Sequence, residues 1–117
     1  MKYMLLVYLD ESWLKRSVAE RQEAYWAQMK HTEELVSKGR YLGGNPLHPP
    51  STATSVRVRD GKRLLTDGPF AETREHLGGY MMIDVENLDE AIDFAARGPL
   101  ASVGTIEVRP VREGPPR

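Results

Sequence analysis

The run YMLLVYL, residues 3–9, constrains what this chain can fold into more than any other stretch. Tyr3, Leu5, Val7 and Leu9 are apolar, and so are the intervening Met4, Leu6 and Tyr8. A strand with one wet face alternates apolar and polar residues, whereas one that is apolar on both faces needs cover on both, as in the middle of a sheet. The run is too short to cross a bilayer, which takes about 20 residues. It meets Asp10-Glu11 without a small-residue cleavage site, so it reads as neither a membrane span nor a signal peptide.

Helix signals stand on either side of a central β region. Ser17-Val18-Ala19-Glu20 has the form of a capping box, and Gly39 after Lys38 supplies a stop, so a helix is expected over 18–38. From Val18 the positions Gln22, Tyr25, Met29, Thr32 and Val36 recur at helical spacing, with Trp26 on one flank, and are expected to form the buried stripe. Asn87-Leu88-Asp89-Glu90 repeats the start signal and Gly98-Pro99 the stop, which predicts a second helix over 88–97 with Leu88, Ala91, Ile92 and Ala95 inside. Between them, TSVRVRDGKRLLTD contains Asp60-Gly61, the dipeptide suited to a type I′ turn because both central positions must accept positive φ. A hairpin follows, with Arg59 opposite Lys62 and Val56 opposite Leu65, placed at the margin of the sheet. GYMMIDV (79–85) and GTIEVRP (104–110) read as strands, the latter with Ile106 and Val108 inward. GGNPLHPPSTA (43–53) is a loop by composition, preceded by a short strand near 40–43. Residues 1–112 then form one domain, and 113–117 a frayed tail.

Composition removes several classes of function. Sixteen basic residues stand against seventeen acidic ones, which leaves no positive field for a phosphate backbone and no polybasic run for an anionic membrane. Neither nucleic acid nor membrane is expected as a partner. Cysteine is absent, which excludes disulfides, thiolate catalysis and Cys-based metal sites, and suits a cytoplasmic location.

The order strand, helix, short strand, hairpin, strand, helix, strand is a βαβ-βαβ arrangement with an added β-hairpin, that is, a ferredoxin-like α+β fold. Two helices cover one face of such a sheet, while Met4, Leu6, Tyr8, Tyr80 and Met82 put apolar surface on the other. A homodimer with the two sheets face to face is expected, with a partly apolar cavity between the sheets or at their rim. The alternative is a monomer whose 43–53 loop folds over that face.

With the strands placed, a family resemblance is visible. MKYMLLVYLDE, then STATSVRVRDGKRLLTDGPFAETREHLGGYMMIDVENLDEAIDFAARGP, and finally GTIEVRPV resemble the DGPF family of YCII-related proteins over nearly the whole chain. The tetrapeptide DGPF, the following Glu72, Gly78-Gly79 and the closing EVRPV occur in the family's order and at its distances. The resemblance implies a dimeric α/β-barrel of ferredoxin-like subunits. It implies little about reaction: members are mostly of unknown function, some occur beside or fused to extracytoplasmic-function sigma factors, and YCII relatives are suspected of catalysis through a His–Asp pair.

Candidates for such a pair are few. The family suggestion places a histidine on the first helix, where only His31 lies, yet helical geometry turns it about 150° from the Val18–Met29–Val36 stripe and toward solvent. Glu34 makes a His-x-x-Glu step with it, but no second half of a metal site follows, so no metal is expected. Of the remaining histidines, His48 lies in the proline-rich loop and His76 lies nearer Asp67. Asp67 cannot accept from the amide two residues on, because that residue is Pro69. Its carboxylate then either caps the Phe70 amide or faces a ligand as a general base, with Arg74 or His76 setting its charge state. Glu72 and Glu75 read as a solvated charged turn. Tyr8 and Tyr80 either line the cavity or serve as core tyrosines.

Two readings of function follow. One is a small cofactor-independent enzyme acting on a small molecule in a dimer-associated cavity, with Asp67 and His76 as catalytic groups and Tyr8, Arg74 and Tyr80 as ligand contacts. The other is a non-catalytic small-molecule-binding or accessory dimer in the transcriptional setting that the sigma-factor association implies.

Overall fold

A computed structural model describes residues 1–70 and 73–114. Strand β1 (Lys2–Asp10) lies between β5 (Glu75–Asp84) and β6 (Thr105–Pro110), and β2 (Tyr41–Pro46) completes a four-stranded antiparallel sheet in the order β2-β5-β1-β6. The doubly apolar strand is thus interior to the sheet. Tyr3, Leu5, Val7 and Leu9 are buried under the helices, while Met4, Leu6 and Tyr8 are half-buried on the opposite face. Hydrogen bonding on both sides and cover on both faces are what a run without polar alternation requires.

The helix on the first connection, α2 (Val18–Val36), follows a single turn, α1 (Glu11–Leu14). The cap is as expected, with the Glu20 amide donating to Ser17 Oγ at 3.1 Å. Past its end, Gly39 adopts φ of 69° and the Arg40 amide closes on the Leu35 carbonyl at 2.9 Å. The buried face differs from the expected stripe. Of the stripe Thr32 is buried, but Val18, Met29 and Val36 are exposed, and Gln28 and Leu35 are buried in their stead. His31 is half-buried rather than solvent-facing, stacked on Phe94 at 4.3 Å between ring centroids with Nε2 2.7 Å from the Phe94 carbonyl. The reason is that apolar residues are spread around α2, so periodicity names no single face, and packing against α3 (Leu88–Arg97) selects one.

α3 has the expected bounds, begun by Asn87 Oδ1 accepting from the Glu90 amide at 2.9 Å and ended at Gly98. Its buried face is Ala91, Phe94 and Ala95, while Leu88 and Ile92 are exposed. A bidentate Arg97–Glu34 contact at 2.8 and 3.1 Å ties it to α2. The inner-face side chains of β1 and β5 and the undersides of the helices make one core around Leu5, Ile83, Trp13 and Phe94.

Strands β3 (Thr54–Arg59) and β4 (Lys62–Asp67) form the hairpin, in the expected register: Val56 opposite Leu65, Arg59 opposite Lys62, with Asp60 and Gly61 at φ of 51° and 73°. Its placement is a correction. The hairpin is not at the sheet margin but a separate two-stranded sheet, with almost every residue exposed. This arm widens the molecule to 49 × 47 × 19 Å and raises its radius of gyration to 16.2 Å. A chain of this length packed as a single body comes to about 13 Å. The fold as a whole is the expected ferredoxin-like α+β arrangement with an added hairpin.

Candidate functional site

The 43–53 segment, read as a loop, contributes most of β2 and with it one wall of a cavity. Two Gly-Gly pairs lie on neighbouring strands, and Gly44, Gly78 and Gly79 present bare backbone to the space beneath α2. Tyr25, Gln28, Met29, Thr32, Glu33 and Val36 face them from the helix. Between helix and sheet lies a cavity of about 460 Å³, which is within the range of small-molecule sites. Glycine is required at 44: a Cβ there would collide with the Tyr80 carbonyl and come within 2.7 Å of the Tyr41 hydroxyl. The Tyr41 ring therefore lies across the strand because nothing projects from Gly44.

Few polar groups reach this space. Burial pushes the Tyr41 hydroxyl above the usual phenol range, with Tyr80 adding to the shift, so it stays protonated at neutral pH and can both donate and accept. Gln28 is 8% exposed; its Nε2 donates weakly to Met81 Sδ at 3.5 Å, and its buried Oε1 accepts nothing among the described residues. Asn45 Nδ2 is 3.4 Å from the Tyr80 hydroxyl. An apolar cavity with a protonated phenol and an unused amide oxygen suits a small ligand of mixed polarity.

A smaller hollow of about 50 Å³ adjoins the first, and Leu9, Tyr25 and Gly78 line both. Its polar residues are Arg21 from α2, His76 from β5 and His48 from the segment after β2. Together the two hollows, which share lining residues, make a crevice along α2, largely apolar, with the Glu33 carboxylate on the wall of the larger hollow and a basic end in the smaller.

Of the five residues expected at the site, two line this crevice. His76 belongs to the basic end, and Tyr80 contributes to the wall of the large cavity. Alternation from the buried Met81 places the Tyr80 ring on the outer sheet face, next to Leu6. Tyr8 is half-buried on that same outer face, opposite Thr105 and Leu77. Arg74 is exposed and lines neither hollow.

Asp67 stands at the root of the hairpin, exposed and paired with Thr54. Its carboxylate makes no hydrogen bond or ion pair among the described residues, so the Phe70 cap is not formed. The turn is held instead by the Gly68 amide donating to the Ala53 carbonyl at 2.7 Å and by Ser55 Oγ donating to the Gly68 carbonyl at 2.9 Å. Gly68 takes φ of 95°, which accounts for glycine after the aspartate. Glu72 lies outside the described residues.

The expected cavity between sheets or at their rim is thus not the one this subunit encloses, which sits between helix and sheet. Arg21, Gln28, Tyr41 and His48 were not singled out as ligand contacts from sequence. The signal that could have found the cavity was the pair LGGN and LGGY, glycines on paired strands that mark a close approach of backbone, three of which line the cavity. A further hollow between α2 and α3 is lined by Glu34, Asp93 and Arg97, whose charges are spent on one another.

A family model described as the YCII-related domain matches residues 1–114. An uncharacterized protein of Rhizobium meliloti, R00369, is 37% identical over 114 residues, covering 95% of this chain and 92% of its own length. Among solved structures, 5-chloro-2-hydroxyhydroquinone dehydrochlorinase from Burkholderia phenoliruptrix, in complex with 2,5-dihydroxybenzoquinone, superposes with a TM-score of 0.59 over 97% of this chain and 96% of that one. At 17% identity that likeness shows the fold alone.

Proposed function

The chain belongs to the YCII-related family, and from that premise we propose that it is a small-molecule enzyme that works without a bound cofactor in the crevice between α2 and the sheet. The observation that carries this reading is the 460 Å³ cavity on its glycine floor, joined to an end bearing two imidazoles. A ring-sized substrate fits the apolar part. His76 stands where it can pass a proton to or from such a substrate, and the Tyr41 hydroxyl can hold a developing oxyanion. The like-folded dehydrochlorinase acts on a substituted hydroquinone, which favours a ring of that size here as well.

The working unit in this proposal is a homodimer. Met4, Leu6, Tyr8, Tyr80 and Met82 leave the outer sheet face apolar, and the hairpin bares Val56, Val58 and Leu65. An isolated two-stranded hairpin is marginal in water; a second copy that covers the outer face and the arm stabilises both. Asp67 lies outside this crevice, so its assignment as acid/base requires that the dimer carry the hairpin root to the crevice of a neighbouring subunit.

The test combines sedimentation with ligand soaking. A dimer at micromolar concentration, and density for a hydroxylated ring in the α2–sheet crevice that is lost in Met29→Trp, are the expected results. A monomer removes the dimer, and ligand density confined to another surface removes the crevice. Once a substrate is in hand, His76→Asn and Asp67→Asn should each lose turnover with the fold retained; ligand binding with unchanged chemistry in both variants would instead make the protein a binder.

A further inference from the structure

The basic end of the crevice holds a group that nothing among the described residues satisfies. Arg21 sits in the first turn of α2, half-buried and lining the hollow; its Nε is buried with no acceptor among the described residues, so it is the terminal nitrogens of the guanidinium that are open to a ligand. A buried N–H without an acceptor is unfavourable, and a guanidinium even more so. No carboxylate of the described residues lies within ion-pair distance of it. The hollow beside it is walled by apolar residues such as Trp13, Leu14 and Pro49, and its only ionisable side chains are Arg21, Tyr25, His48 and His76. Not one of them is acidic.

We propose that this hollow is an oxyanion subsite, in which Arg21, with His48 and His76 beside it, takes the carboxylate of a small aromatic or aliphatic acid whose apolar body lies in the adjoining cavity. The size agrees: about 50 Å³ holds a carboxylate or one to two waters, and no ring. The chemistry agrees too, since guanidinium offers paired donors in the plane that a carboxylate presents, and imidazoles supply further donors. Leu9, Tyr25 and Gly78, common to both hollows, set the junction where an acid's α-carbon would pass. Gly78 has no side chain to close that junction; a Cβ there would already press on Leu9 Cδ1 at 2.7 Å. The inference rests on the crevice being the substrate site and adds the class of substrate.

The experiment titrates 3-phenylpropanoate and its methyl ester into the full chain by calorimetry, in the wild type and in Arg21→Gln, Arg21→Lys and Met29→Trp. The acid should bind the wild type about tenfold or more tighter than the ester. That advantage should vanish in Arg21→Gln and be partly kept in Arg21→Lys, with ester affinity unchanged in both, while Met29→Trp weakens acid and ester alike. Equal binding of acid and ester to the wild type, a comparison that needs no variant to fold, would overturn the subsite and leave the crevice standing. So would an acid preference that survives Arg21→Gln. Binding of neither probe to the wild type would overturn the subsite and the crevice together.

Discussion

The four-stranded body and the two-stranded hairpin are built from the same kind of antiparallel ladder, yet they are held by different forces. In the body, β1 has a strand on each side, helices over one face and half-buried side chains on the other. In the hairpin the ladder is complete and the turn has the right chemistry, but among its strand residues only Ser55 is even half-buried. Backbone hydrogen bonds contribute modestly in net terms because water competes for the same groups, so ladders of similar quality leave one region stable and the other dependent on a further surface. Turn chemistry shapes a hairpin; buried area keeps it.

The largest expected effect sharpens that contrast by truncating one apolar residue in each region. Phe94→Ala removes a ring that is 2% exposed and supports His31, and should cost about 3–5 kcal/mol in denaturant unfolding. Leu65→Ala removes a side chain that is 66% exposed, and in a free arm should change stability by no more than about 0.5 kcal/mol. A larger loss at Leu65, growing as protein concentration is raised, would break the comparison by showing that the arm is packed in solution, as the proposed dimer requires. Intermediate in size is Gly61→Val. Forcing a β-branched residue to φ of 73° costs about 1–2 kcal/mol. Amide exchange should quicken across β3 and β4 and stay unchanged in β1 and β5; quickening in the body as well would mean that the two regions fold as one unit.

The smallest effect probes the edge of the body, where α2 meets α3. The hydrogen bond from Arg97 holds the Glu34 carboxyl below the usual carboxylate range. A group with a lowered folded pKa contributes stability above its unfolded value and loses it as pH falls through the folded one. Glu34→Gln should therefore lower the melting temperature slightly at neutral pH, and the two proteins should converge in acid below the ordinary glutamate range. A difference that persists there would assign the contact to shape rather than charge. Because the pair is exposed, the effect is small even where it is full.

How much could be read in advance follows the same division. Where one local rule governs, expectation and structure agree: Asp60-Gly61 set the turn and hence the register of Val56 with Leu65, and Asn87 and Gly98 bounded α3 to the residue. The site was less legible. His76 was singled out and lines the crevice, but Asp67 and Arg74 lie outside it, and Arg21, Gln28, Tyr41 and His48 became neighbours only through the fold. Arg21 and His76 are 55 positions apart, on elements whose approach depends on which face α2 buries. That face differs from the expected one because α2 buries the polar Gln28 and Thr32 with Leu35 while Val18, Trp26, Met29 and Val36 stay exposed, a choice that apolar periodicity does not encode.

By itself the sequence determined the two long helices, the hairpin, the order of the main elements, the doubly apolar strand that had to lie inside the sheet, and the family. These follow from interactions within a few residues or from periodicity along one segment. Only the tertiary structure decided the rotation of α2, the separation of the hairpin from the sheet, and the clearing of a cavity by glycines from two strands. Each of those depends on side chains far apart in the chain competing for the same buried space, a contest that is settled by packing and leaves no local trace.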